Sequence, residues 1–192
     1  MKTVSESHAI DQIVFEVTGE VWSAKRIAEE ALNGSASSDS LSGYNDRDDF
    51  ISGGSGSDVI SGGEGNDYLV GEQGTDKLYG NKGHDKLYGG AGDDELTGAE
   101  GNDLLIGGTG RDNLNGGIGA DTYRFSAGFG EDSISEDGND QDLVIFGPNI
   151  DPAGILLNRY YDHLYVYNRN LGDKLTCSTQ KNEDTNREND IS

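Results

Sequence analysis

Gly53-Gly54-Ser55-Gly56-Ser57-Asp58-Val59-Ile60-Ser61 is the first of eight nine-residue units that run without insertion to Gly116-Gly117-Ile118-Gly119-Ala120-Asp121-Thr122-Tyr123-Arg124. Each unit has Gly at positions one and four, Asp at position six and a large apolar residue at position eight. Self-similarity at a fixed period marks a stacked repeat, in which a unit buries its apolar side only against its neighbours. Two weakened units precede the block. Gly34 to Ser42 keeps Asp39 and Leu41 but loses a glycine. Gly43 to Ser52 has ten residues, keeps Asp49 and Ile51, and carries Arg47 where the second glycine belongs, with Asp46 and Asp48 crowding the loop. These two turns are expected to bind metal poorly or not at all. With them, position eight reads Leu41, Ile51, Ile60, Leu69, Leu78, Leu87, Leu96, Leu105, Leu114, Tyr123, a phase that a polar linker has no reason to keep.

The residue types at each phase imply a chemistry. Asp and the apolar residue lie two apart, so strand alternation alone would place them on one face. A turn over the Gly-rich six residues relieves this, followed by a three-residue strand with only its middle side chain inward. Glycine permits positive φ in that turn and lets carbonyl oxygens converge. The short Asp stem keeps carboxylate oxygens beside the turn. Carboxylate plus backbone carbonyl is a hard oxygen set that suits calcium, whereas no Cys/His cluster suggests zinc. Three units depart from Gly at position two, with Glu72, Asn81 and Ala99; Asn tolerates left-handed backbone best.

Composition agrees. The chain of 192 residues has 30 Gly, 32% hydrophobic residues and a net charge of −22 from 36 acidic and 14 basic side chains. Such a chain repels itself when compact, so either it stays disordered or a counter-ion neutralises it. The strict phase favours the counter-ion. No basic stripe with interleaved aromatics points to nucleic acid. No apolar run approaches the roughly 20 residues that span a bilayer, and the N-terminus lacks the order of a signal peptide. Cys177 is the single cysteine and forms no intrachain disulfide.

The pattern resembles the calcium-binding nonapeptide of the RTX (repeats-in-toxin, haemolysin-type) family. The resemblance implies an all-β fold: a right-handed parallel β-roll in which two nonapeptides make one turn and calcium sits between same-side loops 18 residues apart. One column then holds Asp58, Asp76, Asp94 and Asp112, and the other Asp67, Asp85, Asp103 and Asp121. Backbone ligands come from the position-one glycines Gly53, Gly62, Gly71, Gly80, Gly89, Gly98, Gly107 and Gly116. Ile60, Leu78, Leu96 and Leu114 would meet Leu69, Leu87, Leu105 and Tyr123 between the sheets. Two columns of four loops leave six internal sites, and six divalent ions would bring the chain from −22 to about −10. By the same resemblance the protein is secreted through a Gram-negative type I apparatus, unfolded in calcium-poor cytosol and folded outside.

The flanks read as caps. In residues 1–33, Ile13-Val14-Phe15 is a short strand, Ser23 an N-cap, and Ala24 to Leu32 a two-turn helix with Ala24, Ile27, Ala28 and Ala31 on one face. Trp22 is expected to cover the open end of the stack. The roll proper is 34–124, followed by a β-rich cap over 125–175 and a polar, frayed tail over 176–192. Within the cap, Gly128 to Ile134 keeps Gly-x-Gly-x-Asp-x-apolar, displaced by two residues, which makes Asp132 a further candidate ligand. Gly138 to Val144 is a looser echo with Asp140 and Asp142. Leu143 to Phe146 reads as a buried strand, Leu156 to Tyr161 and Leu164 to Asn168 as strands joined by Asp162-His163, and Leu171 to Leu175 as the start of one more. The segment around Ile13 to Trp22 resembles the end of the family's flanking domain, as in an excerpt from a chain with successive repeat blocks.

No catalytic residues are expected. His-Glu-x-x-His, Gly-x-Ser-x-Gly and a phosphate-binding Gly-Lys-Ser/Thr loop are absent, and His84 occupies a variable, surface-type repeat position. Near-equal Asp residues recur uniformly, where catalysis needs one distinct pair. The main reading is a non-enzymatic calcium-binding module of a secreted protein. The rival readings are adhesion or carbohydrate binding, through a roll face or Tyr160, Tyr161, Tyr165 and Tyr167, and the non-catalytic module of a secreted lipase, protease or epimerase.

Overall fold

Two short strands, β1 (Gln12–Val14) and β2 (Val21–Ser23), pair antiparallel. β3 (Ala31–Asn33) and β4 (Ser40–Ser42) then begin a stack. It continues through β5 (Phe50–Ser55), β6 (Val59–Glu64), β7 (Tyr68–Gln73), β8 (Lys77–Lys82), β9 (Lys86–Ala91), β10 (Glu95–Glu100), β11 (Leu104–Thr109), β12 (Asn113–Ile118), β13 (Thr122–Phe125), β14 (Glu131–Glu136) and β15 (Leu143–Phe146). A 3-10 turn (Pro152–Gly154) leads to β16 (Ile155–Tyr160), β17 (His163–Asn168) and β18 (Lys174–Thr179). This is a computed structural model, and it describes residues 12–14, 21–23, 31–136, 141–160 and 163–179.

The chain winds so that alternate strands fall in alternate sheets. One sheet runs β15-β13-β11-β9-β7-β5-β3, and the other β16-β17-β18-β14-β12-β10-β8-β6-β4. Neighbours in the roll are parallel and offset by 18 residues, as in Leu78 opposite Leu96 and Leu87 opposite Leu105. The fold is therefore a parallel β-roll, two nonapeptides per turn. Ile51, Leu69, Leu87 and Leu105 from one sheet and Ile60, Leu78, Leu96 and Leu114 from the other are fully or almost fully buried between them. Each is worth roughly 1.5–3 kcal/mol when removed from water. Tyr123 continues the file at position eight of the last unit, and no other large apolar side chain of a regular unit is buried, so the core is narrow.

The strands are longer than a three-residue reading allows. β6 covers positions seven to nine of one unit and one to three of the next, and its buried residues are Ile60 and Gly62. Asp58 just before it is buried too, so positions six, eight and one all face inward. No turn separates the Asp from the apolar face. Glycine at position one makes room for the carboxylate instead.

The flanks correct the expectations in three places. Ala31–Asn33, expected to end a helix, is strand β3, with Leu32 opposite Ile51. The exposed edge of β5 offers ladder hydrogen bonds there, and they override local helix propensity; residues 24–30 lie outside the described residues. The side chain of Trp22 also lies outside them. Leu143–Phe146 is a strand but not a buried one, since Leu143 is 54% and Ile145 39% exposed. Among the described residues it is the last strand of the seven-stranded sheet. Thr176–Thr179 is not frayed: β18 pairs parallel with β14 and antiparallel with β17. The hairpin of β16 and β17 is present as expected. Among the described residues, no helix is long and apolar enough to cross a membrane.

Candidate metal centre

The Asp residues at position six form two continuous ladders. In each step the backbone N–H of one Asp donates to Oδ1 of the Asp one turn later. The first ladder runs Asp58 to Asp76 (2.8 Å), Asp94 (2.9 Å), Asp112 (2.9 Å) and Asp132 (3.0 Å). The second runs Asp49 to Asp67 (2.8 Å), Asp85 (2.7 Å), Asp103 (2.8 Å), Asp121 (2.7 Å) and Asp142 (3.0 Å). Column membership is the one expected from the 18-residue spacing. Asp132 continues the first column across two extra residues, and Asp142 the second across three.

The second carboxylate oxygen carries the functional information. Oδ2 of Asp58, Asp67, Asp76, Asp85, Asp94, Asp103, Asp112 and Asp132 is buried and accepts no hydrogen bond. A buried polar atom without a partner costs about 1–3 kcal/mol, more if charged, so a row of them requires an explanation. Those of the regular units each lie against the position-one glycine of their own unit, as Asp58 does against Gly53. A Cβ built on Gly98 would overlap Asp103 Oδ2 and stand 2.7 Å from the carbonyl oxygen of Gly116 one turn on. The same holds at Gly71, between Asp76 Oδ2 and the Gly89 carbonyl at 2.6 Å. Position one thus forms a cradle lined by a carboxylate and a carbonyl oxygen, which fits a hard cation. Positive φ belongs to other positions: Glu72, Asn81 and Ala99 at position two adopt φ of 78°, 78° and 83° despite lacking glycine's freedom.

The weakened turns are built differently. Asp39 Oδ2 accepts from Ser35 N and Oγ at 2.7 and 2.8 Å. Asp49 Oδ2 accepts from Tyr44 N at 2.5 Å, and its Oδ1 pairs with Arg47 Nε at 3.2 Å. Protein donors contact the carboxylates of both turns.

Electrostatics point the same way. Burial, followed by repulsion from neighbouring carboxylates, pushes Asp94 up to about 7 and Asp67, Asp85 and Asp103 up to about 6, although a backbone N–H lowers each in part. Burial likewise raises Asp112 to about 6 and Asp132 to about 8. The ladders are therefore unfavourable as bare anions near neutral pH.

Two residues outside the expected ligand set also join the site region. One carboxylate oxygen each from Asp121, Glu136 and Asp142 lies within 4.8 Å of the others. His84, expected only to be a surface residue, is exposed but links layers: its N–H donates to Asn66 Oδ1 and its Nδ1 accepts from Asn102 N, both at 2.8 Å. The ring contacts of Tyr165 and Tyr167 are with each other, at 6.4 Å between centroids, and with His163.

Comparison with known proteins agrees with this geometry. The profile of the RTX calcium-binding nonapeptide repeat (4 copies) matches residues 44–78, 70–105 and 97–134. That block, residues 44–134, belongs to the RTX calcium-binding repeat family. No curated protein sequence matches the chain. Among solved structures, the extracellular lipase LipA from Serratia marcescens is similar at 18% identity and a TM-score of 0.29. The match covers 77% of this chain and 37% of the lipase chain.

Proposed function

We propose that this chain is a calcium-dependent folding module of a secreted protein, carried by a type I secretion apparatus in expanded form and folded outside the cell. The observation that supports it is the row of buried Oδ2 atoms without partners, which at Asp58, Asp76, Asp85, Asp94 and Asp103 stand beside a glycine carbonyl of the next turn. The ligand set is Asp58, Asp76, Asp94, Asp112 and Asp132 in one column and Asp67, Asp85, Asp103 and Asp121 in the other, with the carbonyls of Gly53, Gly62, Gly71, Gly80, Gly89, Gly98, Gly107 and Gly116. When bound, calcium supplies the positive charge that facing carboxylates lack. The chain's own residues do the rest. Oδ1 ties each layer to the one before, Gly at position one keeps the cradle open, and the apolar file closes as the layers stack. Since the cradle exists only in the folded state, ion binding free energy becomes folding free energy. β3 at one end and the strands from β14 to β18 at the other act as end caps of the stack.

Small-angle scattering tests the switch. In calcium-free buffer the radius of gyration should approach about 47 Å, the scaling value for an unfolded chain of this length, and calcium should contract it toward about 16–20 Å. A compact radius without calcium would sink the reading. Asp85→Ala tests the ligand assignment, because Asp85 faces loops on both sides. It should lower the number of bound ions and raise the calcium midpoint at least tenfold. It also leaves the buried Asp67 N–H without its acceptor. Unchanged stoichiometry and midpoint would remove Asp85 from the set.

A second reading, carbohydrate or cell-surface binding, is favoured by the outer row Phe50, Tyr68 and Tyr88, whose rings stack at 5.2 and 4.9 Å between centroids. Phe50 is 45% exposed. Retention of the calcium-loaded chain on a glycan array, lost in Tyr68→Ala, would support it; no retention would exclude it.

A further inference from the structure

The two carboxylate columns end in different ways. Counting along the repeat, Phe125 and Glu136 both stand at position one, where every regular unit has glycine. At the end of the first column, Phe125 packs with Phe129 and Phe146 at ring-centroid distances of 5.0 and 5.8 Å, so that end closes as apolar core. At the end of the second, the same phase delivers a carboxylate. Glu136 is 8% exposed and lies on β14, yet it reaches the ladder of the opposite sheet. Its Oε1 accepts from the Tyr123 hydroxyl, which in turn accepts from Gly116 N at 2.6 Å. Its Oε2 is buried and accepts nothing.

We propose that Asp121, Asp142 and Glu136 form a terminal divalent-cation site, distinct from the carboxylate-and-carbonyl cradles of the repeat, which locks the C-terminal end of the roll. The inference rests on the calcium reading above. Acidic clusters are common without an ion. Here the second observation is Glu136 itself, more than nine-tenths buried, with one oxygen held by Tyr123 and the other without a partner. Three carboxylates carry more negative charge than a repeat cradle does, and ligand charge raises affinity for calcium. The site should therefore fill before the repeat cradles. Tyr123, where other units have Leu or Ile at position eight, is the positioning residue: its hydroxyl fixes the Glu136 carboxylate.

Equilibrium dialysis of the full chain against radiolabelled calcium tests this, with wild type beside Glu136→Gln, Asp142→Asn and the double variant. Asp142→Asn is the fold-safe change, because Asp142 is exposed and an amide oxygen can still accept the Asp121 N–H. Each single variant should bind one ion fewer than wild type and lose the tightest binding step. The double variant should also lose one ion, not two. Wild-type stoichiometry and affinity in Asp142→Asn would overturn the proposal even if Glu136→Gln failed to fold, and so would a loss of two ions in the double variant. If wild type bound no calcium, the calcium reading itself would fall, and this site with it.

Discussion

Gly92→Ala should abolish the calcium-induced roll or raise its calcium midpoint by orders of magnitude. Gly92 has φ +134°, a conformation that costs an L-residue about 1–2 kcal/mol or more. The steric problem is worse than the torsional one. A Cβ there would overlap the carbonyl oxygen of Gly74 and stand 2.6 Å from its carbon. Gly74 cannot yield, since its N–H donates to Ala91 O at 2.9 Å, and the same contact recurs layer on layer. The only relief is to separate two turns, which opens the ladder and the cradle together, and a loss beyond about 4 kcal/mol is expected. Ala99→Gly is the counter-experiment. Ala99 holds φ 83° with a Cβ present, so glycine should stabilise by about 1 kcal/mol and lower the calcium midpoint a few-fold. Gly92→Ala titrating like wild type would contradict the stacked geometry.

Acid should partly replace calcium. In calcium-stripped buffer, β-structure should rise as pH falls from 8 to 5. The unfolded reference for Asp is 3.8, and the folded values lie between about 6 and 8 for Asp94, Asp103 and Asp132. A carboxylate whose folded value is raised favours the folded state fully below its unfolded value, and that advantage is lost as pH rises through the folded value. The window is thus pH 4 to 8, with stability increasing on acidification. The range stops at 5 to stay above the isoelectric region near 4.1. Protons and calcium compete for the same oxygens, so with calcium present its midpoint should move to higher concentration across the same window. A β-signal that is flat or falls on acidification without calcium would show that the buried carboxylates do not oppose folding.

The repeat made much of this legible. The period and the hard-oxygen chemistry follow from Asp at six, apolar at eight and Gly at one and four, whereas the two-unit turn and its paired columns come from the resemblance to the RTX repeat. What escaped was local and physical. The roles of the glycines separate only in three dimensions, where position one leaves room for Asp Oδ2, while positions two and four take positive φ and lie against a backbone carbonyl of the preceding turn. Ala31 to Asn33 carry helix-compatible residues, and the free edge of β5 is a tertiary fact. Glu136 was the missed site residue. The signal was present, since it lies two residues after Ile134 in the phase of a glycine, but an isolated Glu in an acidic chain gives no sign that it is buried. The strands after Leu143 were found with shifted bounds, because nothing in Leu143 to Phe146 tells an end strand from a covered one.

The most direct measurement is far-ultraviolet circular dichroism of the full chain during calcium titration at neutral pH. A disordered spectrum in excess chelator should convert cooperatively to a β-spectrum on calcium addition and revert on renewed chelation, with magnesium failing to substitute at equal concentration. A complete β-spectrum already present in chelator would contradict the proposal that the ion drives the fold.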